Sequence, residues 1–428
     1  MYSMEQLTLF DIEADVKTST STTFIDNMKL PVHRWFKYTA GFSAEWVKSV
    51  IKKYKKSDSM ILDPFAGSGT TLVAANELNL PSIGYEKQYF IRRIAHNKLH
   101  YNVNLNHLNK LYKGVINNNS FRDFDFEEQA DLLKKCYDKE TLKTLTLIKN
   151  NFIEITDNTL EAEIIWLAIT AILRTTSSAG TAQWQYILPK KNKKNVLPPQ
   201  NALLQKINEI IQDTQLFNAK KVSSLGTVLD HDAREFCSEY NNAFDMLITS
   251  PPYPNNYDYA DATRLEMMFW GDIAGWGDLQ SKVRRNLIHS CSQHSAAEKL
   301  KLEDILNDFV LAPIKDEITE VCRKLEKVRL EHGGKKTYHT MIAAYYQDLA
   351  HVFTALRPLM KKNSIICFVI GDSAPYGVYA PADKWLGKLA LNAGFESWTF
   401  EKIRDRNIKW KNRKHTVPLK EGRLWIRG

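Results

Sequence analysis

Residues 60–86 read MILDPFAGSGTTLVAANELNLPSIGYE. Met60–Asp63 is a short apolar run of the kind that forms a strand buried on both faces. Gly67 and Gly69 follow, and Thr70–Leu80 has the composition of a helix that Pro81 closes. Ser82–Glu86 is the next strand. Strand, glycine turn, helix and strand within 27 residues predict a βαβ unit and therefore a parallel sheet. Glycines at the end of a parallel strand let the chain turn sharply and bring backbone amides against a ligand, while the following helix N-terminus adds partial positive charge. A Walker-type loop ends in Gly-Lys-Ser/Thr and this one does not, which disfavours ATP. Glu86 lies 19 residues after Gly67, close to the ~20-residue spacing at which an acidic side chain meets ribose hydroxyls. Nucleoside binding is thus weighed against a plain structural turn with a solvent-facing Glu86.

Upstream, Ala44–Tyr54 carries Trp46, Val47, Val50, Ile51 and Tyr54 at helical spacing. Residues 1–27 are polar and read as a flexible tail. Downstream, residues 102–221 hold long periodic stretches such as LEAEIIWLAITAILR (Leu160–Arg174) and no clear strand series, so a mostly helical insertion is expected. Sheet signals resume at Thr227–Leu229 and Phe244–Ser250. Residues 275–336 read as a second helical insertion. An amphipathic helix over Met341–Met360 then precedes SIICFVIGD (Ser364–Asp372), the best central strand, and ESWTF and GRLWIRG read as closing strands. The body is expected to be discontinuous, residues 28–101 and 222–428.

The 428 residues carry 58 Lys and Arg against 49 Asp and Glu, a surplus of nine positive charges that favours a polyanionic partner. Five scattered cysteines without a C-x-x-C pair argue against a disulfide framework and a zinc site, so no metal is expected. No apolar run approaches the roughly 18 residues of a membrane span, and the N-terminus lacks the features of a secretory signal. A cytoplasmic protein is expected.

The second informative segment is DMLITSPPYPNNYDYAD, Asp245–Asp261. Strand residues emptying into Ser250-Pro251-Pro252-Tyr253 make a rigid wall: the prolines fix the backbone and remove two N–H donors, leaving carbonyl oxygens and the Ser250 hydroxyl as acceptors. Acceptors beside an aromatic ring suit a planar group bearing an amino donor. By itself the pair of prolines would be read as a strand ending in a turn.

With both segments in view, the chain resembles the S-adenosylmethionine-dependent DNA amino-methyltransferases of restriction-modification systems. DPFAGSGTT resembles that family's cofactor motif and TSPPY its catalytic motif. His33–Ser43 is similar to the segment covering the methionine part of the cofactor, and VIGDS (Val369–Ser373) to the fifth strand. The resemblance implies an α/β, Rossmann-like class I fold: a mostly parallel seven-stranded sheet closed by an antiparallel hairpin. It implies S-adenosylmethionine held by Asp63, Phe65, Gly67, Gly69, Thr70 and Glu86, with Asp232 on the adenine amino group. Ser250, Pro251, Pro252 and Tyr253 would form the catalytic site, Tyr253 stacking on a base flipped from double-stranded DNA.

Carbon-5 cytosine methylation needs a nucleophilic Cys, in the related family within a Pro-Cys pair, and no cysteine here follows a proline. In the family, Ser before Pro-Pro-Tyr is usual for cytosine N4 and Asp or Asn for adenine N6, so N4-cytosine methylation is expected, with N6-adenine as the alternative. Another reading is a non-catalytic DNA-binding subunit on the same fold; RNA or protein glutamine substrates generally go with Asn at that position. Target recognition is assigned to residues 102–221 or 275–336, where the run KKNKK (Lys190–Lys194) is suited to phosphates. The tail segment Gln6–Phe10, QLTLF, resembles a sliding-clamp docking motif. A cognate restriction endonuclease would complete the system.

Overall fold

The computed structural model describes residues 24–38, 41–118, 123–181, 187–255, 258–334, 336–406 and 417–428. The main sheet has seven strands: β1 Ile61–Asp63, β2 Ser82–Tyr85, β5 Gly226–Leu229, β6 Phe244–Thr249, β7 Met360–Gly371, β8 Ser397–Arg406 and β9 Leu419–Arg427. Their spatial order is β5-β2-β1-β6-β7-β9-β8. The first five are parallel to one another; β9 is antiparallel to both β7 and β8. This is the expected mixed α/β architecture, a mostly parallel sheet closed by an antiparallel hairpin.

From β1 the chain proceeds outward through β2 to β5, then returns to the other side of β1 as β6 and β7. The order therefore reverses between β1 and β6, which pair in parallel with Leu62 opposite Leu247. Connections leave two adjacent strand ends in opposite directions there, opening a crevice at the carboxyl edge. Both motifs exit at that edge: the glycine turn follows β1 and Ser250-Pro-Pro-Tyr253 follows β6.

Helix α1, Ala44–Tyr54, has the expected bounds and starts at Ser43, whose hydroxyl accepts from the Trp46 amide. Helix α2, Thr70–Asn76, stops four residues short of Leu80. Asn79 adopts a left-handed φ of 54°, and the Asn76 side chain leaves the helix surface to accept from the amides of Leu225 and Gly226, tying α2 to the start of β5. Helix α3, Tyr89–Leu99, follows β2.

Residues 102–221 contain helices Leu105–Asn117, Lys139–Ile155, Leu160–Thr176 and Pro199–Ala219. Their core is continuous with that of α3: Trp166 meets Phe90 edge-on at 5.2 Å, and Arg93 lies over the Trp166 ring at 3.9 Å while pairing with Glu163. Two short antiparallel strands, β3 Ala179–Thr181 and β4 Ile187–Asn192, break the helical pattern. The basic run enters β4 with exposed Lys190 and Lys191, where solvent on both faces erases the alternation that would mark a strand. The expected amphipathic helix spans Tyr338–Leu356 and is buried almost all round, because the sheet covers one side and the helix Lys315–Glu331 the other. Among the described residues no helix is long and apolar enough to cross a membrane.

Candidate active site

Past β1 the chain turns through Pro64–Gly69 with Gly67 at φ 51° and Gly69 at φ 83°, conformations that L side chains rarely adopt. Close approach is the second reason for Gly67: a Cβ there would stand 3.2 Å from Tyr38 Cε1. The Gly67 amide donates to Glu86 Oε2 at 2.9 Å and the Gln88 amide to Oε1 at 2.8 Å, so the acidic residue just past β2 is fixed with one oxygen on the turn and the other on the chain that follows it. Burial pushes the Glu86 carboxyl up to about 7, against these two amides and the nearby Arg92.

Past β6, the Ser250 hydroxyl donates to the Val369 carbonyl of β7 at 3.3 Å. The same hydroxyl also meets the Tyr253 side chain. The Tyr253 amide donates to the Tyr259 hydroxyl at 3.1 Å, and the Arg406 guanidinium stands 5.1 Å from the Tyr253 ring centroid. Arg406 is anchored by donation to the Asp372 carbonyl at 2.9 Å. The two exits are bound to each other: Thr249 Oγ1 donates to Asp63 Oδ1 at 2.6 Å, and Thr71 Oγ1 to the Ile248 carbonyl at 3.2 Å. Asp63 is buried, and burial raises its pKa to about 6 against the donors Thr249, Thr71 and the Phe65 amide.

One cleft of about 820 Å³ lies between them. Of the residues singled out in the sequence, Phe65, Gly67, Thr70, Glu86, Asp232, Ser250 and Pro252 line it. Asp63 and Gly69 stand behind that wall, Asp63 bonded to Phe65 N–H and Gly69 heading α2 against Ala95. Pro251 is buried, and Tyr253 lies beside the wall. Asp232 is held by Arg234 through Nε at 3.0 Å and Nη2 at 2.7 Å. Burial disfavours its charge, yet Arg234 keeps its pKa below the ordinary value.

Sequence reasoning did not single out Tyr259, His231 or Asn286–Ile288, which also line the cleft. Tyr259 sits six residues beyond Tyr253 in a run of tyrosines, a usable signal; Asn286–Ile288 come from a distant loop without any motif. Gln6–Phe10 lies outside the described residues.

The wall suits S-adenosylmethionine by the chemistry of its donors and acceptors. Two carboxyl groups, Glu86 and Asp232, match hydroxyl and amino donors; the rings of Tyr38, Phe42 and Phe65 offer apolar faces; and the buried Ser68 hydroxyl has no protein partner among the described residues.

Sheet order and cleft are consistent with a methyltransferase of Rossmann-like fold. The profile of the DNA methylase family N6_N4_Mtase matches residues 9–97. The chain is 26% identical over 416 residues to the Type II methyltransferase M.BsoBI of Geobacillus stearothermophilus, covering 86% of this chain and 80% of that protein. It is 25% identical over 401 residues to the Type II methyltransferase M.AvaI of Nostoc sp. strain PCC 7120, covering 87% and 81%. A 53-residue stretch is 55% identical to the Type II methyltransferase M.HindIII of Haemophilus influenzae, covering 12% of this chain and 17% of that one. The family match and these relatives together support an S-adenosylmethionine-dependent DNA amino-methyltransferase of restriction-modification type.

Proposed function

We propose that this methyltransferase modifies the N4 amino group of cytosine at a specific site in double-stranded DNA, protecting it from a cognate restriction endonuclease. Ser250 at the β6 exit, facing the same cleft as the Gly67 turn, carries the reading. Bound S-adenosylmethionine supplies a methyl group activated by its positive sulfur. Glu86 accepts from the ribose hydroxyls, Asp232 takes the adenine amino group, and Phe65, Gly67 and Thr70 line the remaining wall.

An exocyclic amino nitrogen is a weak nucleophile because its lone pair is delocalised into the base. Accepting one amino proton at the Ser250 hydroxyl and the other at the Pro251 carbonyl draws that lone pair out of the ring. The Ser250 proton is already given to Val369, so the hydroxyl meets the amino group as an acceptor. Tyr253 stacks on the flipped base; Arg406 steadies its ring, and the hydrogen bond from the Tyr253 N–H to the Tyr259 hydroxyl holds its backbone. Pro251 and Pro252 add rigidity, so orientation supplies most of the rate. Ser250 is itself a poor base, so the surplus proton leaves to water. An intact acceptor set and cleft favour an enzyme over a non-catalytic subunit.

Ser before Pro-Pro-Tyr, the usual residue of the cytosine-N4 enzymes, supports cytosine over adenine. Residues 102–221 and 275–336 are the proposed readers of the target, the exposed Lys190 and Lys191 following phosphates. Mass spectrometry of nucleosides from DNA treated with the protein and S-adenosylmethionine tests the proposal. N4-methylcytosine is expected; N6-methyladenine would reassign the target, and unmodified DNA would remove the enzymatic reading.

A further inference from the structure

Two walls of the cleft belong to loops that no strand ladder holds. One is His231–Ala233, between β5 and β6; the other is Asn286–Ile288, from the 275–336 region. The residue next in sequence on each wall turns away from the cleft toward the same carboxylate. Arg234 Nη1 donates to Asp348 Oδ1 at 3.1 Å, while His289 donates to Oδ2 through its amide at 2.9 Å and its Nδ1 at 2.8 Å. Asp348 lies on the helix Tyr338–Leu356, is 6% exposed and is not part of the cleft wall.

We propose that Asp348 is a positioning residue for the adenine end of the cofactor: by holding Arg234 from one wall and His289 from the other, it fixes their separation and the orientation of Asp232. This rests on the reading that the cleft binds S-adenosylmethionine.

The chain of contacts makes the role specific. Arg234 spends Nε and Nη2 on Asp232 and Nη1 on Asp348, so its planar fork transmits the position of the helix carboxylate to the cleft carboxylate. His289 Nε2 meets Glu298 at 2.9 Å. Burial disfavours charge on His289, but its bonds to Asp348 and Glu298 raise its pKa, so an ionic tether holds this wall too. Removing the shared carboxylate would leave two partly buried cations facing each other and free both loops to move apart.

The test compares Asp348→Asn with wild type in S-adenosylmethionine and adenosine binding by calorimetry, duplex DNA binding, and kcat at saturating cofactor. Both nucleoside ligands should bind about tenfold more weakly by the same factor, with kcat and DNA affinity within about twofold. Unchanged cofactor affinity in a folded variant would overturn the proposal, as would equal losses of cofactor and DNA affinity. Should Asp348→Asn fail to fold, His289→Ala decides: it cuts one wall loose and should weaken adenosine about threefold or more, and wild-type affinity there overturns the proposal. Glu86→Gln separates the two levels. If it loses cofactor affinity while Asp348→Asn does not, the positioning role fails alone; if it too binds normally, the cleft assignment fails.

Discussion

The Thr249 hydroxyl donates to the Asp63 carboxylate at 2.6 Å, joining the last residues of β6 and β1 just before each strand opens into its motif. The bond fixes how far apart the cofactor turn and the acceptor loop begin. Thr249→Val keeps the shape of the side chain and deprives a buried carboxylate of a donor. It should destabilise the fold by about 1–3 kcal/mol, read as a lower midpoint in denaturant unfolding. An unchanged midpoint would show that the bond is dispensable.

Cofactor affinity should depend on pH through Glu86. Its carboxyl is held at about 7, above the ordinary 4.5, mainly by burial. Only the ionised form accepts from both ribose hydroxyls, so affinity should rise with pH up to about 7 and level off above, by at most about tenfold per pH unit for one proton. Folding raises this pKa, so its stabilising contribution is full below pH 4.5 and is lost as pH rises through about 7; bound cofactor offsets the loss. Calorimetry in two buffers should find proton release near neutrality, and Glu86→Gln should abolish it.

Ser250→Ala removes one of the two acceptors for the amino group. A loss of about 100-fold in kcat is expected, on the scale of removing a single group that interacts chiefly with the transition state. DNA and cofactor affinity should stay near wild type. A fall in DNA affinity matching the fall in kcat would assign Ser250 to binding instead.

Gly371 ends β7 against Tyr253 and Arg406. A Cβ there would come 2.6 Å from Arg406 Nη1 and 3.1 Å from Tyr253 Cδ2, so one of the two must move. Gly371→Ala should therefore lower kcat by about tenfold or more while changing the unfolding midpoint little, since displaced side-chain ends relax more readily than backbone. Wild-type turnover would remove the Arg406–Tyr253 stack from the account of base positioning.

Much of the fold was legible because a parallel strand buried on both faces reads as an unbroken apolar run, and because Gly67, Pro251 and Gly371 mark the exits of β1, β6 and β7. β1, β2, β6 and the core of β7 are such cases. The end of α2 was not, since it depends on Asn76 bonding to Leu225 and Gly226, about 150 residues away in sequence. The β3–β4 hairpin escaped because its strands are short and largely exposed. At the site, Glu86 and Ser250 announce themselves by motif spacing, whereas Asn286–Ile288 reach the cleft only through the path of an insertion and the bond from His289 to Asp348.

The central claim is that the turn after β1 and the Ser250 loop after β6 serve one reaction across one cleft. A crystal structure with S-adenosylhomocysteine and duplex DNA containing the methylated site tests it most directly. The ribose hydroxyls are expected on Glu86, with the flipped cytosine amino group between Ser250 and the Pro251 carbonyl and facing the sulfur. A nucleoside bound away from Glu86, or a target base held by residues other than Ser250–Tyr253, would contradict it.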